Sequence, residues 1–311
     1  VSVVELHVFS EAQEGATYED LLRVARATES LGFAGFFRSD HYLGIMGDGS
    51  PGPTDAWVTL AGLARETNRI RLGTLVSPTT FRLPGPLAIM VAEVDAMSGG
   101  RVELGLGSGW YAPEHRAYGI PFPDLRTRYD RFSEQVEIID GLWRTPVGER
   151  FSFQGAHYEL SDSPALPKPV QSPRPPIILG GLGRKRSARL VARFADEFNV
   201  AWSPLADISE IFTRLKTNLA ETDRDPSSLA YSAGQTSCVG KDEAEVRRRA
   251  AVLRQDAGTL RTTGLAGTPA EVVDKIGQLA DLGVSRIYLQ FLDLTDLAQL
   301  ELIAAEVLPQ L

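Results

Sequence analysis

Asp40 and His41 stand side by side in FFRSDHYLG (36–44), at the end of an aromatic run. A histidine exchanges protons near neutral pH, and a carboxylate within reach raises its pKa or fixes its tautomer. Adjacent residues of an extended segment point to opposite faces, so one of the pair can face a pocket while the other braces the chain. For the isolated pair, a capped turn with a satisfied rim histidine is an equal reading. A second group is GGLGRKRS (180–187), where glycines precede a helix that begins with Arg184, Lys185 and Arg186. Such a loop leaves backbone N–H groups for an anion at the positive end of the helix. It matches neither the P-loop nor the dinucleotide pattern, and a tight turn before a solvated basic helix start stands beside the anion reading. A third, GLGSGW (105–110), carries three glycines in five residues. Either a ligand approaches the backbone there, or the strand leaves by a tight turn with Trp110 in the core. Ser108 is one place off the nucleophile elbow.

Other reactive residues point elsewhere. Glu5, His7, Asp40 and His41 could be drawn as metal ligands, but the first strand lacks a His-x-His spacing and no second cluster supports it, so no metal is expected. His115 and His157 read as solvated loop histidines. The single cysteine, Cys238, excludes a disulfide framework within the chain and reads as a small apolar core residue.

These groups need elements that bring them together. Short β-branched runs alternate with amphipathic stretches: strand 3–8, helix 17–32, strand GFAGFFRS, helix 55–68, strand 70–77, helix 84–100, strand 101–107, helix 127–143. The proline-rich stretch at about 145–176 interrupts them and carries RFSFQGAHYEL (150–160), which suits a β-hairpin. The alternation then resumes with strands at 176–181, 197–202, 229–240 and 285–291 and helices between and after them. Eight strands, nearly all followed by a helix, predict a (β/α)8 barrel, α/β in class, as one domain over 1–311 with a rim insertion.

In such a barrel the chemistry sits at the C-terminal ends of the strands. Those ends are His7 with Phe9, Asp40 with His41, Ser77-Pro78-Thr79, Gly107-Ser108-Gly109-Trp110, Gly180 to Gly183, Trp202, Cys238 and Gln290. Together they suit a flat ligand with polar edges, with glycine for close approach and aromatics for the faces.

The same landmarks resemble the bacterial luciferase-like superfamily, and within it the branch that depends on the deazaflavin coenzyme F420. The resemblance rests on SDH (39–41), RLGTLVSP (71–78), AMSGGR (96–101), GLGSGWYAPEHRAYG (105–119), the RFSEQVEII helix and PPIILGGLGRKR (175–186), in family order over most of the chain. It implies a barrel that holds a deazaflavin or flavin at its mouth, with Asp40 and His41 at the ring and His41 as acid/base. It implies Ser77 at the kinked end of strand three, Gly107, Ser108 and Gly109 toward the ribityl and pyrimidine side, and Gly180, Gly181 and Gly183 at the phosphate. Position at the strand ends, rather than the resemblance, makes Phe9, Trp110 and Trp202 walls of the substrate space. A homodimer is implied as well. One departure stands out: some sugar-phosphate dehydrogenases of this branch have a glutamate proton donor where this chain has Trp110, and its next carboxylate is Glu114.

The expected function is therefore hydride transfer between coenzyme F420 and a small organic substrate. An FMN-dependent monooxygenase on the same scaffold is the alternative, and a flavin-binding barrel without catalysis the third reading. The net charge of −8, from 32 basic and 40 acidic residues without a long basic block, argues against nucleic acid as a partner. No stretch reaches the ~18 apolar residues of a membrane span, and VSVVELHVFS has no secretory pattern. A cytoplasmic location is expected.

Overall fold

Alternation of β-branched runs with amphipathic stretches gives a (β/α)8 barrel, in a computed structural model that describes residues 4–311. Strand β1 (Glu5–Ser10) leads to α1 (Tyr18–Ser30), β2 (Gly35–Arg38) to α2 (Ala56–Glu66), β3 (Arg71–Pro78) to α3 (Pro84–Ser98), and β4 (Val102–Gly107) to α4 (Ala112–Ala117) and α5 (Leu125–Arg144). The hairpin β5 (Phe151–Gln154) and β6 (Glu159–Ser163) follows. Then come β7 (Ile177–Gly180) with α6 (Lys185–Phe194), β8 (Glu197–Ala201) with α7 (Leu205–Leu219), and β9 (Ala230–Val239) with α8 (Glu243–Val252) and α9 (Ala257–Thr263). A short β10 (Leu265–Gly267), α10 (Pro269–Asp281), β11 (Arg286–Gln290) and α11 (Leu297–Glu306) complete the order. Val3, where the first strand was expected to start, lies outside the described residues.

The chain divides into two compact units. The first takes the chain up to Glu11, Glu19–Phe37 and Gly180–Leu311; the second takes Ala12–Tyr18 and Arg38–Leu179. In the first, β1 runs parallel to β11 with His7 opposite Tyr288, and β9 pairs in parallel with β8, β10 and β11. His7 is buried there, its ring stacked on Tyr288 at 5.1 Å and edge-on to Phe37 at 5.4 Å. Cys238 is buried among Val246, Ala250, Leu260 and Ala266, and that apolar surrounding pushes its thiol up.

In the second unit, β3 pairs with β4 in parallel, and the register slips between Thr74 and Ser77, where the Leu75–Val76 peptide is cis. The slip presses Val76 onto β4. A Cβ at Gly105 would stand 2.0 Å from the Thr74 carbonyl oxygen, and one at Gly107 would stand 2.8 Å from Val76 Cγ2. Two of the three glycines in GLGSGW thus make room for the neighbouring strand, a reason that strand spacing alone does not reveal.

Caps set the helix starts. Asp55 accepts from Trp57 N and Val58 N at the start of α2, and α3 begins on Pro84 and ends on Gly99 in the left-handed region. The insertion is held by carboxylates: Glu134 of α5 accepts from the amides of Ala156, His157 and Tyr158, and Asp95 of α3 from those of Val170 and Gln171.

The structure departs from the sequence reading in three places. His115 lies in α4 and is 1% exposed, not in a solvated loop, because the six-residue helix that starts at Ala112 is too short to show periodicity. The helix α9 and strand β10 were not expected, since seven and three residues are too few to show a period. The hairpin extends to Ser163, beyond the expected 160.

Candidate active site

The second unit assembles a site around His41. Its Nδ1 lies 3.0 Å from both oxygens of Glu114, a carboxylate that is 1% exposed, and the Tyr42 amide also donates to Glu114 Oε2 at 3.0 Å. Glu114 is supplied by α4, so the helix missed in the sequence positions the partner of the histidine. A carboxylate at Nδ1 fixes the tautomer with the proton on that nitrogen, and places exchange chemistry at Nε2. The His41 side chain keeps 15% exposure. Trp110, 62% exposed, stands edge-on to it at 5.8 Å, with Tyr111 at 6.1 Å.

Asp40 turns the other way, as residues on extended backbone do. Its buried carboxylate accepts from Arg82 Nη1 at 2.5 Å and from Ser77 Oγ at 2.6 Å. Ser77 in turn accepts from the Trp57 indole N–H at 3.1 Å, so its hydroxyl braces Asp40 within the protein. Arg82 reaches Asp55 with Nη2 at 2.6 Å, and Tyr42 donates its hydroxyl to the same Asp55 oxygen at 2.7 Å.

The electrostatics follow from this packing. Burial works against the Arg82 charge, but Asp40 and Asp55 outweigh it and hold the guanidinium firmly protonated. Burial would raise the Asp55 carboxyl, yet Arg82 and the Tyr42 hydroxyl keep it below the usual range. The Tyr42 phenol is pushed up, chiefly by burial. Arg38, fully buried at the end of β2, is lowered to about 10 by burial against the pull of Asp40 and Asp55. It stays charged at neutral pH and ties β2 to the start of α2 through Thr54 and Thr59.

Of the remaining expected residues in this unit, Gly107, Ser108 and Gly109 follow one another half-buried at the end of β4. A Cβ at Gly109 would stand 3.0 Å from Thr80 Oγ1.

The first unit holds the other expected residues. Gly180 and Gly181 are exposed, and a Cβ at Gly181 would meet open space. Gly183 is buried against α7, where a Cβ would stand 2.7 Å from the Ile211 carbonyl oxygen. Arg214 donates to the Leu182 carbonyl and Asn218 to that of Gly183, which fixes the loop. Arg184 gives the start of α6 no side-chain cap, and a helix start is where an anion binds. Phe9 is buried, with its ring 5.5 Å from that of Trp202, and Trp202 carries the exposed surface of the pair.

Sequence reading assigned no role to Glu114, Arg82, Tyr42 or Asp55. An aspartate directly before the apolar run AWVTL is a cap signal that could have singled out Asp55. Arg82, in FRLPGPL, has no periodic or motif signal. Glu114 could be found only by placing α4 against the turn after β2.

The sequence profile of the luciferase-like monooxygenase family matches residues 2–258. An F420-dependent glucose-6-phosphate dehydrogenase of Microbacterium testaceum is 34% identical over 58% of this chain and 51% of its own. The chain thus spans about half the length of that relative. Another F420-dependent glucose-6-phosphate dehydrogenase, of Beutenbergia cavernae, is 29% identical over 94% of this chain and 93% of its own. The structure of an F420-dependent secondary alcohol dehydrogenase superposes with a TM-score of 0.83 over 99% of both chains at 17% identity, a likeness of fold. With the family profile matching residues 2–258, most of the chain, the chain belongs to the luciferase-like monooxygenase family.

Proposed function

We propose that the chain is an F420-dependent oxidoreductase that moves a hydride between the coenzyme and a small organic substrate, with His41 managing the proton. The observation that carries this reading is the His41 ring gripped at Nδ1 by the buried Glu114, beside the exposed face of Trp110. The names of the curated relatives support the coenzyme. The residues of the first unit, argued by themselves, fit its phosphate: the uncapped start of α6, the open space over Gly181 and the exposed Arg184 next to it are what an anion needs.

The deazaflavin ring, when bound, supplies or accepts the hydride. His41 Nε2 gives a proton to the oxygen of a carbonyl substrate, or takes one from a hydroxyl in the reverse direction. Glu114 keeps the ring in one orientation and its Nδ1 proton in place. Asp40 acts through Arg82 and Ser77, holding the turn that presents His41. Trp110 and Tyr111 offer an apolar wall that orients the substrate and keeps water from the transferred proton. By the family resemblance, Trp110 stands at about the place where some sugar-phosphate dehydrogenases of the branch have a glutamate, and Arg82 is held by Asp40 and Asp55. Both features favour an uncharged substrate, such as a secondary alcohol or its ketone, over a sugar phosphate.

A homodimer and a cytoplasmic location belong to the same proposal, drawn from the family likeness. Among the described residues, no helix is long and apolar enough to cross a membrane. Light scattering of the purified protein checks the dimer.

Equilibrium titration with oxidised coenzyme F420 and with FMN in parallel tests the assignment. The proposal expects tighter F420 binding, weakened by Gly181→Asp and kept in His41→Ala. Tighter binding of FMN, with oxygen uptake on reduction, would transfer the protein to the monooxygenase reading. Tight binding without turnover of any alcohol or ketone would leave a flavin-binding barrel.

A further inference from the structure

We infer that Glu14 is a positioning residue for the site: its carboxylate holds the loop that follows His41, and through that loop it sets the aromatic wall beside the histidine. The inference rests on the roles of His41 and Trp110 proposed above. Oε1 of Glu14 accepts from Ile45 N at 2.7 Å and Met46 N at 3.1 Å, while Oε2 accepts from Gly47 N at 2.9 Å and Met46 N at 3.2 Å. Three successive amides around one anion form a backbone nest, here filled by the protein's own carboxylate. Bonds to a charged acceptor are roughly twice as strong as neutral ones, so a single side chain carries the turn of the loop.

The residues beside Glu14 close the fit. Gln13 accepts from Ser39 Oγ at 2.5 Å, one residue before Asp40. Gly15, at φ +108, lies so close to the loop that a Cβ would stand 2.0 Å from the Ser50 carbonyl oxygen. At its near end the loop meets the site: the Gly44 carbonyl accepts from the Tyr111 hydroxyl at 3.2 Å. The Tyr111 ring lies 5.1 Å from that of Trp110. His41 itself is oriented separately, by Glu114. Loosening the loop therefore disturbs the wall more than the proton-carrying ring, and the effect belongs in KM.

The test compares wild type with Glu14→Gln, which keeps the shape but turns one acceptor into a donor, and with Glu14→Ala. In coenzyme-free protein, amide exchange at residues 45–47 is expected to quicken about ten-fold or more. In turnover, KM for the substrate is expected to rise about ten-fold while kcat falls by less than about three-fold. Unchanged exchange at 45–47 would overturn the inference, and so would faster exchange with KM unchanged or with a loss confined to kcat. If wild type turns over no substrate, the reaction proposed above fails on its own. Exchange then decides the latch, with faster exchange spreading from 45–47 to Tyr111 supporting it and exchange confined to the loop overturning it.

Discussion

Each compact unit holds one arginine between two carboxylates and a tyrosine hydroxyl, and the two clusters occupy opposite ends of their strands. In the second unit Arg82 joins Asp40 and Asp55, with Tyr42 donating to Asp55. In the first, Arg286 joins Glu197 and Glu5, with Tyr288 donating to Glu197 at 2.8 Å. Asp40 follows the C-terminal end of β2, whereas Glu5, Glu197 and Arg286 are the first residues of β1, β8 and β11. In α/β barrels catalysis gathers at C-terminal strand ends, and the N-terminal ends serve stability. The same set of side chains therefore braces a reactive histidine in one unit and ties strand starts together in the other. What separates the two is the neighbour each cluster holds, since the Arg82 cluster of the second unit is followed by the partly exposed His41, whereas Glu5 of the first unit faces the buried His7.

Substitutions can break this comparison, beginning with the largest effect. His41→Ala is expected to lower turnover about 10²–10⁴-fold with coenzyme affinity unchanged, read by steady-state kinetics and titration. Arg82→Met leaves the Asp40 charge buried and unpaired, which costs about 3–5 kcal/mol in denaturant unfolding and removes activity with it. Arg286→Met should cost less, about 2 kcal/mol, because that arginine is partly exposed, Glu5 is half-exposed and the buried Glu197 keeps the Tyr288 hydroxyl, and the folded fraction should keep its kcat. If the Arg286 variant loses kcat as steeply as the Arg82 variant, the division of labour between the strand ends is wrong.

Acid should act on both clusters with the same sign. Asp55 is held low because Arg82 and Tyr42 outweigh its burial. Glu5 is held low first by its bond with His7, against burial, and then by Arg286. A depressed carboxyl contributes stability that is present above its unfolded pKa and lost as pH falls through the folded one. Unfolding midpoints should therefore fall below the ordinary carboxylate range. Asp55→Asn should flatten that acid limb, and an unaltered limb would remove Asp55 from the account.

Much of the fold could be read in the sequence because strand and helix periods are local: GFFR, RLGTLVSP and the capped AWVTLAGLARE announce themselves. The site was legible in part. Asp40, His41 and Ser77 stand at strand ends, where pattern reading looks. Glu114 and Arg82 come from a six-residue helix and an irregular segment, so their roles depend on which distant turn they fold against. Gly105 and Gly107 show a related limit, as they answer to a register slip in β3 that no pattern within β4 encodes.

The central claim is that His41, held by Glu114, carries the proton that accompanies hydride transfer. Its most direct test is single-turnover oxidation or reduction of bound coenzyme F420 by a panel of secondary alcohols and ketones, in wild type and in His41→Ala at saturating coenzyme. The account predicts a ring redox change in wild type, slowed at least about 10²-fold in the variant with coenzyme affinity retained. Equal rates in the two proteins would contradict it.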